Sequence, residues 1–153
     1  MRESVARRAR RGVLTRLLAV LTMLAAAPGR SRAQQRPAPS AEAERRWIEA
    51  AFAMKQLAES WGDQPYGAVL VIGAAIVGEG PSRVVQRGDP DAHAEREAIK
   101  DAQRRLGRRD LHGAILYSTS RPCRLCEQAA AEARVARMIY GADMRDAGAP
   151  VPR

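Results

Sequence analysis

The sequence has 153 residues, 46% of them hydrophobic, and its 26 Lys and Arg against 17 Asp and Glu give a net charge of +9. The charge is concentrated at one end, because residues 1–33 contain eight Arg and one Glu, whereas residues 34–153 contain 18 basic and 16 acidic side chains. This length and composition fit a single domain and exclude a disordered chain, a coiled coil, a multi-span membrane protein and a cationic domain that coats nucleic acid.

Residues 1–33 predict an export signal. Four arginines between positions 7 and 11 precede an apolar run at residues 17–27, and Ser31 and Ala33 supply small side chains for a cleavage site. The run is shorter than the ~20 residues of a membrane-spanning helix. We therefore expect a periplasmic or secreted protein, exported through a signal with a weak twin-arginine character and followed by a linker at residues 34–40. An amphipathic targeting or interfacial helix and an uncleaved membrane anchor are the competing interpretations.

Residues 41–61 predict an amphipathic helix, because apolar side chains from Trp47 to Trp61 recur at helical spacing and Ser40 can cap the first turn. The apolar runs at residues 66–72 and 74–77 predict a β-hairpin. Glycine and proline are frequent in residues 78–90, which predict a loop.

Asp89 and Pro90 predict the start of a second helix, which ends at Gly107. Residues 113–118 predict a third strand. Pro122 begins a further predicted helix that ends near residue 134, and residues 135–140 predict a fourth strand. This order of elements predicts an α/β fold with a mixed central sheet flanked by helices.

Three candidate metal ligands, His93, Cys123 and Cys126, lie at two of the predicted helix starts. Cysteines at positions i and i+3 share one face of a helix, and the N–H groups of a first turn favour the thiolate form that binds zinc. Three protein ligands leave one tetrahedral position open, as in catalytic rather than structural zinc sites. A thiol–disulfide motif is the alternative for the two cysteines, but it leaves His93 without a role.

Glu95 follows His93 by two residues, a spacing that separates side chains by about 200° in a regular helix. Both side chains converge on one site only if His93 lies in the entry turn, which the Asp-Pro start predicts. A carboxylate that lies beside a metal without binding it can carry protons, so Glu95 is the candidate catalytic residue. The competing interpretation is a solvated acid on the helix surface.

The chain contains two short motifs, His-Ala-Glu at residues 93–95 and Pro-Cys-Arg-Leu-Cys at residues 122–126. His93 and Cys123 are 30 positions apart. These two motifs resemble the zinc-dependent cytidine and deoxycytidylate deaminase superfamily. Residues 65–69, 89–92, 117–119 and 140–142 resemble further segments of the branch that holds guanine, cytosine and tRNA adenosine deaminases.

The resemblance implies a three-layer cytidine deaminase-like fold for residues 41–153 and hydrolytic deamination of a nucleobase or nucleoside with release of ammonia. One Zn²⁺ per chain, held by His93, Cys123 and Cys126, would supply a hydroxide nucleophile, and Glu95 would carry protons to the ring and to the departing amine. Transfer RNA and single-stranded DNA stay open as substrates. The residues expected to contact the substrate are Ala68, Ser82, Ala94 and Pro122.

Three residues depart from the pattern of this superfamily. Ser82 stands where its members carry a substrate-gripping Asn, Arg121 where they carry Glu, and Arg124 where they carry Pro. Two added cations near the mouth of the site would favour an anionic substrate; the alternative is that both are simply solvated.

The members of the superfamily also continue with another strand and a helix after residues 135–140. We therefore expect a C-terminally short fold whose fourth strand is an exposed edge that pairs in a homodimer. The alternative is that residues 142–153 fold back, with Pro150 and Pro152 blunting the edge. Two other functions stay open at this point: a zinc-binding relative that has lost activity, and an exported dithiol oxidoreductase.

Overall fold

The computed structural model of the chain describes residues 38–152. Helices and strands follow in the order α1 (Ala41–Ser60), β1 (Gly67–Ile72), β2 (Ala75–Pro81), α2 (Val84–Arg87), α3 (Ala94–Leu106), β3 (Ala114–Ser118), α4 (Arg124–Glu132), β4 (Arg137–Tyr140) and β5 (Arg145–Gly148). Among these residues, none of the helices is both long enough and apolar enough to span a bilayer. The predicted signal peptide at residues 1–33 and most of the predicted linker lie outside the described residues.

The strands form one mixed sheet in the order β2-β1-β3-β4-β5. Only β3 and β4 pair in parallel, and α4 makes the crossover between them. The other neighbouring strands pair antiparallel. A mixed sheet flanked by helices was predicted from the order of the elements, and the structure confirms it.

Strand β1 lies between two hydrophobic cores, one on each face of the sheet, and its side chains alternate between them. Val69 and Val71 pack on the α1 side, in a cluster that includes Trp47 and Tyr117, whose ring centroids are 5.4 Å apart. Ala68 and Leu70 face the opposite side, where α3 and α4 pack. Both faces of the sheet are therefore covered, which gives three layers and explains why β1 is apolar almost throughout.

Close contact between α3 and β2 depends on two glycines of β2. A Cβ at Gly80 would collide with the backbone of Ala94 and Ala98, and a Cβ at Gly78 would collide with the carbonyl of Ala98. Without these side chains, the first turn of α3 lies directly on the sheet. This contact fixes the position of Glu95, which belongs to that turn.

The largest differences from the predicted boundaries lie between β2 and α3, whereas the other predicted elements begin or end within two residues of their predicted positions. Strand β2 runs on to Pro81 and is followed by the short helix α2, where a loop was predicted. The start of α3 was also placed too early, because Asp89 and Pro90 form a turn and the helix begins at Ala94 with His93 as its N-cap. The Ala92 N–H donates to the Asp89 carbonyl at 3.0 Å within that turn.

The prediction that β4 is an uncovered edge was wrong. The chain turns back after Gly141, which has a φ of +76°, and β5 pairs antiparallel with β4. Arg137 and Asp146 join the two strands by an ion pair of 2.8 Å. The argument for a homodimer through β4 therefore loses its basis, because β5 already occupies that edge.

Candidate zinc site and active site

The candidate metal ligands lie at the N-termini of α3 and α4. His93 is the N-cap of α3 and Cys123 is the N-cap of α4, and both have extended backbone angles. Neither side chain caps its own helix. Cys126 lies one turn into α4, so the two helix starts bring the imidazole and both sulfur atoms together.

The distances among these ligand atoms match a tetrahedral zinc site. The Nδ1 atom of His93 lies 3.6 Å from Cys123 Sγ and 3.4 Å from Cys126 Sγ, and the two sulfur atoms are 3.5 Å apart. Zinc bonds of about 2.3 Å to sulfur and about 2.0 Å to nitrogen give tetrahedral edges of roughly 3.8 Å between sulfurs and 3.5 Å between sulfur and nitrogen. The three residues therefore fit zinc without rearrangement of their backbones.

Glu95 lies beside these ligands in the first turn of α3. Its side chain is buried, and its Oε2 atom is 3.4 Å from Cys126 Sγ. His93 is outside the helix and Glu95 is inside it, so the two side chains converge despite their spacing of two residues. The structure thus brings together the three predicted ligands and the predicted acid.

Burial raises the pKa of the Glu95 carboxyl, although its own backbone N–H and the Cys126 thiol oppose the change. Burial also raises the pKa of the Cys126 thiol, and the nearby Glu95 carboxylate adds to that rise. A divalent cation favours the ionised forms of both groups, since it supplies the missing positive charge. The chemistry of the cluster therefore agrees with its geometry.

A cavity of about 380 Å³ opens beside this cluster. Its lining includes His93, Ala94, Glu95 and Cys123 from the predicted site. The lining also includes Arg121, which the sequence analysis expected near the mouth of the site, and Gln64, Tyr66 and Ser120, to which it gave no role. Gln64 and Tyr66 could have been found from the segment at residues 65–69, because Tyr66 belongs to it and Gln64 directly precedes it.

Of the other predicted substrate contacts, Ala68 and Pro122 are not among the residues that line the cavity, and Ala68 is fully buried in the sheet. Ser82 is also fully buried, and its hydroxyl donates a hydrogen bond of 2.8 Å to Asp63 Oδ1. The structure therefore shows Ser82 engaged with a carboxylate of the fold. Substrate contact by these residues stays a prediction.

The carboxylate of Asp63, the residue that precedes the cavity-lining Gln64 in the chain, accepts several hydrogen bonds. Besides the Ser82 hydroxyl, the backbone N–H of Gln64 donates to it at 2.7 Å and that of Gln86 at 2.8 Å. Burial opposes ionisation of Asp63, but these donors together outweigh it and hold its pKa below the usual value. The carboxylate thus ties the end of α1 to α2 and to the rim of the cavity.

Residues 41–142 match the family model of the cytidine and deoxycytidylate deaminase zinc-binding region. The chain belongs to this family. Zinc is the metal that the family binds, and His93, Cys123 and Cys126 are the residues that could hold it here.

The chain is similar to curated proteins that are named deaminases. It is 35% identical over 100 residues to the tRNA-specific adenosine deaminase of Buchnera aphidicola subsp. Schizaphis graminum. The matched region covers 65% of this chain and 66% of that protein. It is 42% identical over 83 residues to the guanine deaminase of Bacillus subtilis, covering 54% of this chain and 53% of that one. The chain thus spans between 53% and 66% of the length of these two relatives.

The X-ray structure of the Bacillus subtilis guanine deaminase resembles this fold with a TM-score of 0.61 at 34% sequence identity, covering 67% of this chain and 64% of that chain. This likeness confirms the expected cytidine deaminase-like architecture.

Proposed function

We propose that this protein is a zinc-dependent hydrolase that replaces the amino group of a nucleobase or nucleoside by a carbonyl oxygen and releases ammonia. The observation that carries the proposal is the position of Glu95, a buried carboxylate within 3.4 Å of Cys126 Sγ and in the lining of the same cavity as His93 and Cys123. A buried acid at this place has access both to the metal ligands and to a bound ring.

Zinc, when bound, supplies Lewis-acid activation of water at near-neutral pH. Glu95 takes up the proton that water loses and passes it to the ring nitrogen beside the amine-bearing carbon. As the water oxygen bonds to the amine-bearing carbon, that carbon becomes tetrahedral. Glu95 then takes the remaining hydroxyl proton of this oxygen and passes it to the amine. The carbon–nitrogen bond breaks, ammonia departs, and the oxygen stays on the ring as the carbonyl. The balance is one water consumed and one ammonia released, with Glu95 returned to its starting state.

Ala94 supports substrate binding through its backbone. Its N–H is one of the first N–H groups of α3, which have no acceptor within the helix. Ala94 lines the cavity, so this N–H can donate to an oxygen or ring nitrogen of the substrate. In this role the helix start orients the ring toward Glu95.

The two curated relatives described above are named for adenosine in tRNA and for guanine, which are both purine substrates. We therefore propose a purine as the first class to test. Residues 38–152 contain 16 basic and 16 acidic side chains, so the described region has no overall charge to attract a polynucleotide. This balance favours a small substrate over tRNA.

The test is ammonia release by the zinc-loaded full chain from adenine, guanine, cytosine and their nucleosides. Release from at least one of them that depends on zinc is the expected result. Full zinc occupancy without release from any member of the panel, or from tRNA, would instead favour the inactive zinc-binding relative.

Export and a homodimer are two further proposals. Export rests on the pattern of residues 1–33, whereas the homodimer keeps only the resemblance to the superfamily as support. Cell fractionation tests the first, with the protein expected in the periplasm or medium. Light scattering tests the second. Since β5 covers the edge of β4, a dimer must use another surface.

A further inference from the structure

Arg121 lies at the rim of the cavity on a loop that the sheet holds in place. The loop follows β3, where the Ser118 hydroxyl donates to the Ser120 carbonyl at 2.6 Å. The Thr119 N–H donates a hydrogen bond of 2.9 Å to the Gly67 carbonyl, and the Gly67 N–H donates one of 3.1 Å to Thr119 Oγ1. The backbone next to Arg121 is therefore fixed relative to β1, and its side chain is part of the cavity lining.

The guanidinium of Arg121 forms no ion pair with any carboxylate of residues 38–152. Ten of the 16 Lys and Arg side chains in that range form ion pairs, and Arg121 is the one member of the remaining six that lines the cavity. The acid in the lining is Glu95, which is buried beside Cys126. The lining thus carries an unpaired positive charge, although the basic and acidic side chains of residues 38–152 are equal in number.

We infer that Arg121 binds a phosphate group of the substrate, so that the preferred substrate is a nucleoside monophosphate rather than a free base or nucleoside. This inference rests on the proposed deaminase function and names its substrate class. A base offers a guanidinium only uncharged acceptors, whereas a phosphate accepts two parallel hydrogen bonds from it and also neutralises its charge. The cavity volume of about 380 Å³ falls within the range of roughly 300–1,000 Å³ found for small-molecule sites.

The same phosphate chemistry occurs in a mononucleotide and in a polynucleotide. We commit to the mononucleotide, because the described residues have equal numbers of basic and acidic side chains and so lack the excess positive charge that a polynucleotide backbone requires. The experiment therefore includes a single-stranded hexamer of the same base, and tighter Arg121-dependent binding of the hexamer would overturn this commitment.

Binding is measured by calorimetry on the zinc-loaded full chain carrying Glu95→Ala, which keeps the substrate intact. The ligands are adenosine and AMP, guanosine and GMP, and cytidine and CMP. For the accepted base we expect the monophosphate to bind at least about tenfold more tightly than the nucleoside, since the pairing is charge-assisted. Arg121→Gln should abolish this preference.

Arg124→Gln is the matched control. Arg124 is exposed, lies three positions further along the chain and is absent from the cavity lining, so its loss should leave the preference unchanged. Equal affinity for nucleoside and monophosphate, a preference that survives Arg121→Gln, or no binding of any ligand would overturn the inference.

Turnover by the chain with an intact Glu95 separates this inference from the proposed function. Ammonia release from nucleosides with no preference for the monophosphate leaves the deaminase proposal standing and removes the role of Arg121. Arg121-dependent binding of monophosphates without ammonia release supports the phosphate site and contradicts the deaminase proposal.

Discussion

The Sγ atom of Cys126 lies 3.4 Å from the Nδ1 atom of His93, although 33 positions separate the two residues in the chain. The contact exists because α3 and α4 begin side by side, with His93 and Cys123 as their N-caps. Each helix start is a local feature, but the metal site requires both at once. Several consequences of this arrangement can be measured.

Removing a cysteine should lower both metal content and stability. We expect one zinc per chain in the unmodified protein, and Cys123→Ala or Cys126→Ala should reduce this value and lower the melting temperature. Zinc can contribute on the order of 10 kcal/mol to the folding of a small domain. Elemental analysis and calorimetry check both effects. Full zinc occupancy in the double variant would contradict the ligand assignment.

Replacing Glu95 by Ala should leave zinc content and fold intact and reduce turnover, because the side chain carries protons without binding metal. Proton transfer by a positioned side chain typically contributes about 10²–10⁴-fold to the rate. Glu97→Gln is the control: Glu97 is similarly buried in α3 but pairs with Arg87 at 2.8 Å and Lys100 at 3.1 Å. That variant should lose stability and keep its turnover number. Near-normal turnover in Glu95→Ala would refute the role of the carboxylate.

Ser82→Ala distinguishes a residue of the fold from one that contacts substrate. Its hydroxyl donates to Asp63, so its loss should cost about 1.5–3 kcal/mol, as expected for a hydrogen bond to a charged group. Urea unfolding at neutral pH measures this change. A rise in KM without loss of stability would instead place Ser82 in the substrate site.

The stability contributed by Asp63 should depend on pH in a definite direction. Its pKa is lower in the folded state than in the unfolded chain, where it lies near about 3.9. The stabilisation that ionised Asp63 gives the folded state is therefore complete above the pKa of Asp63 in the unfolded chain. It is lost as the pH falls through the lower pKa of Asp63 in the folded state. Asp63→Asn should be less stable than the unmodified protein at neutral pH, and the difference should shrink below about pH 4. A difference that stays constant from neutral to acidic pH would contradict this account.

Gly80→Ala should displace the start of α3, because the new Cβ would meet the backbone of Ala94 and Ala98. We expect a loss of zinc together with a destabilisation of at least about 1–3 kcal/mol, as for other overpacked sites. Gly107→Ala is the control, since Gly107 has a φ of +63° but open space around its Cβ position. That variant should cost about 1–2 kcal/mol and keep its zinc. Normal zinc content in Gly80→Ala would show that α3 tolerates the added methyl group.

Local sequence patterns predicted much of this molecule. Helical spacing of apolar residues predicted α1, and its N-cap is the expected Ser40, which accepts a hydrogen bond from the Ala43 N–H at 3.2 Å. The motifs at residues 93–95 and 122–126 identified His93, Cys123 and Cys126 as one set of ligands through their resemblance to the deaminase superfamily, and the fold brings the three together. The cap of α1 and the pairing of the two cysteines depend on neighbours within about one helical turn, so they can be identified without knowledge of the tertiary contacts.

The tertiary structure decided what depends on distant partners. Residues 145–148 have little intrinsic tendency to form a strand, and they become β5 because β4 offers unpaired backbone groups. The hydroxyl of Ser82 contacts Asp63 across 19 positions of the chain, a choice of partner that no local pattern contains. Arg121 lines the cavity because its loop is held by hydrogen bonds between Thr119 and Gly67, two residues that are 52 positions apart in the chain. Such pairings arise only when the sheet closes, since packing rather than local preference selects them.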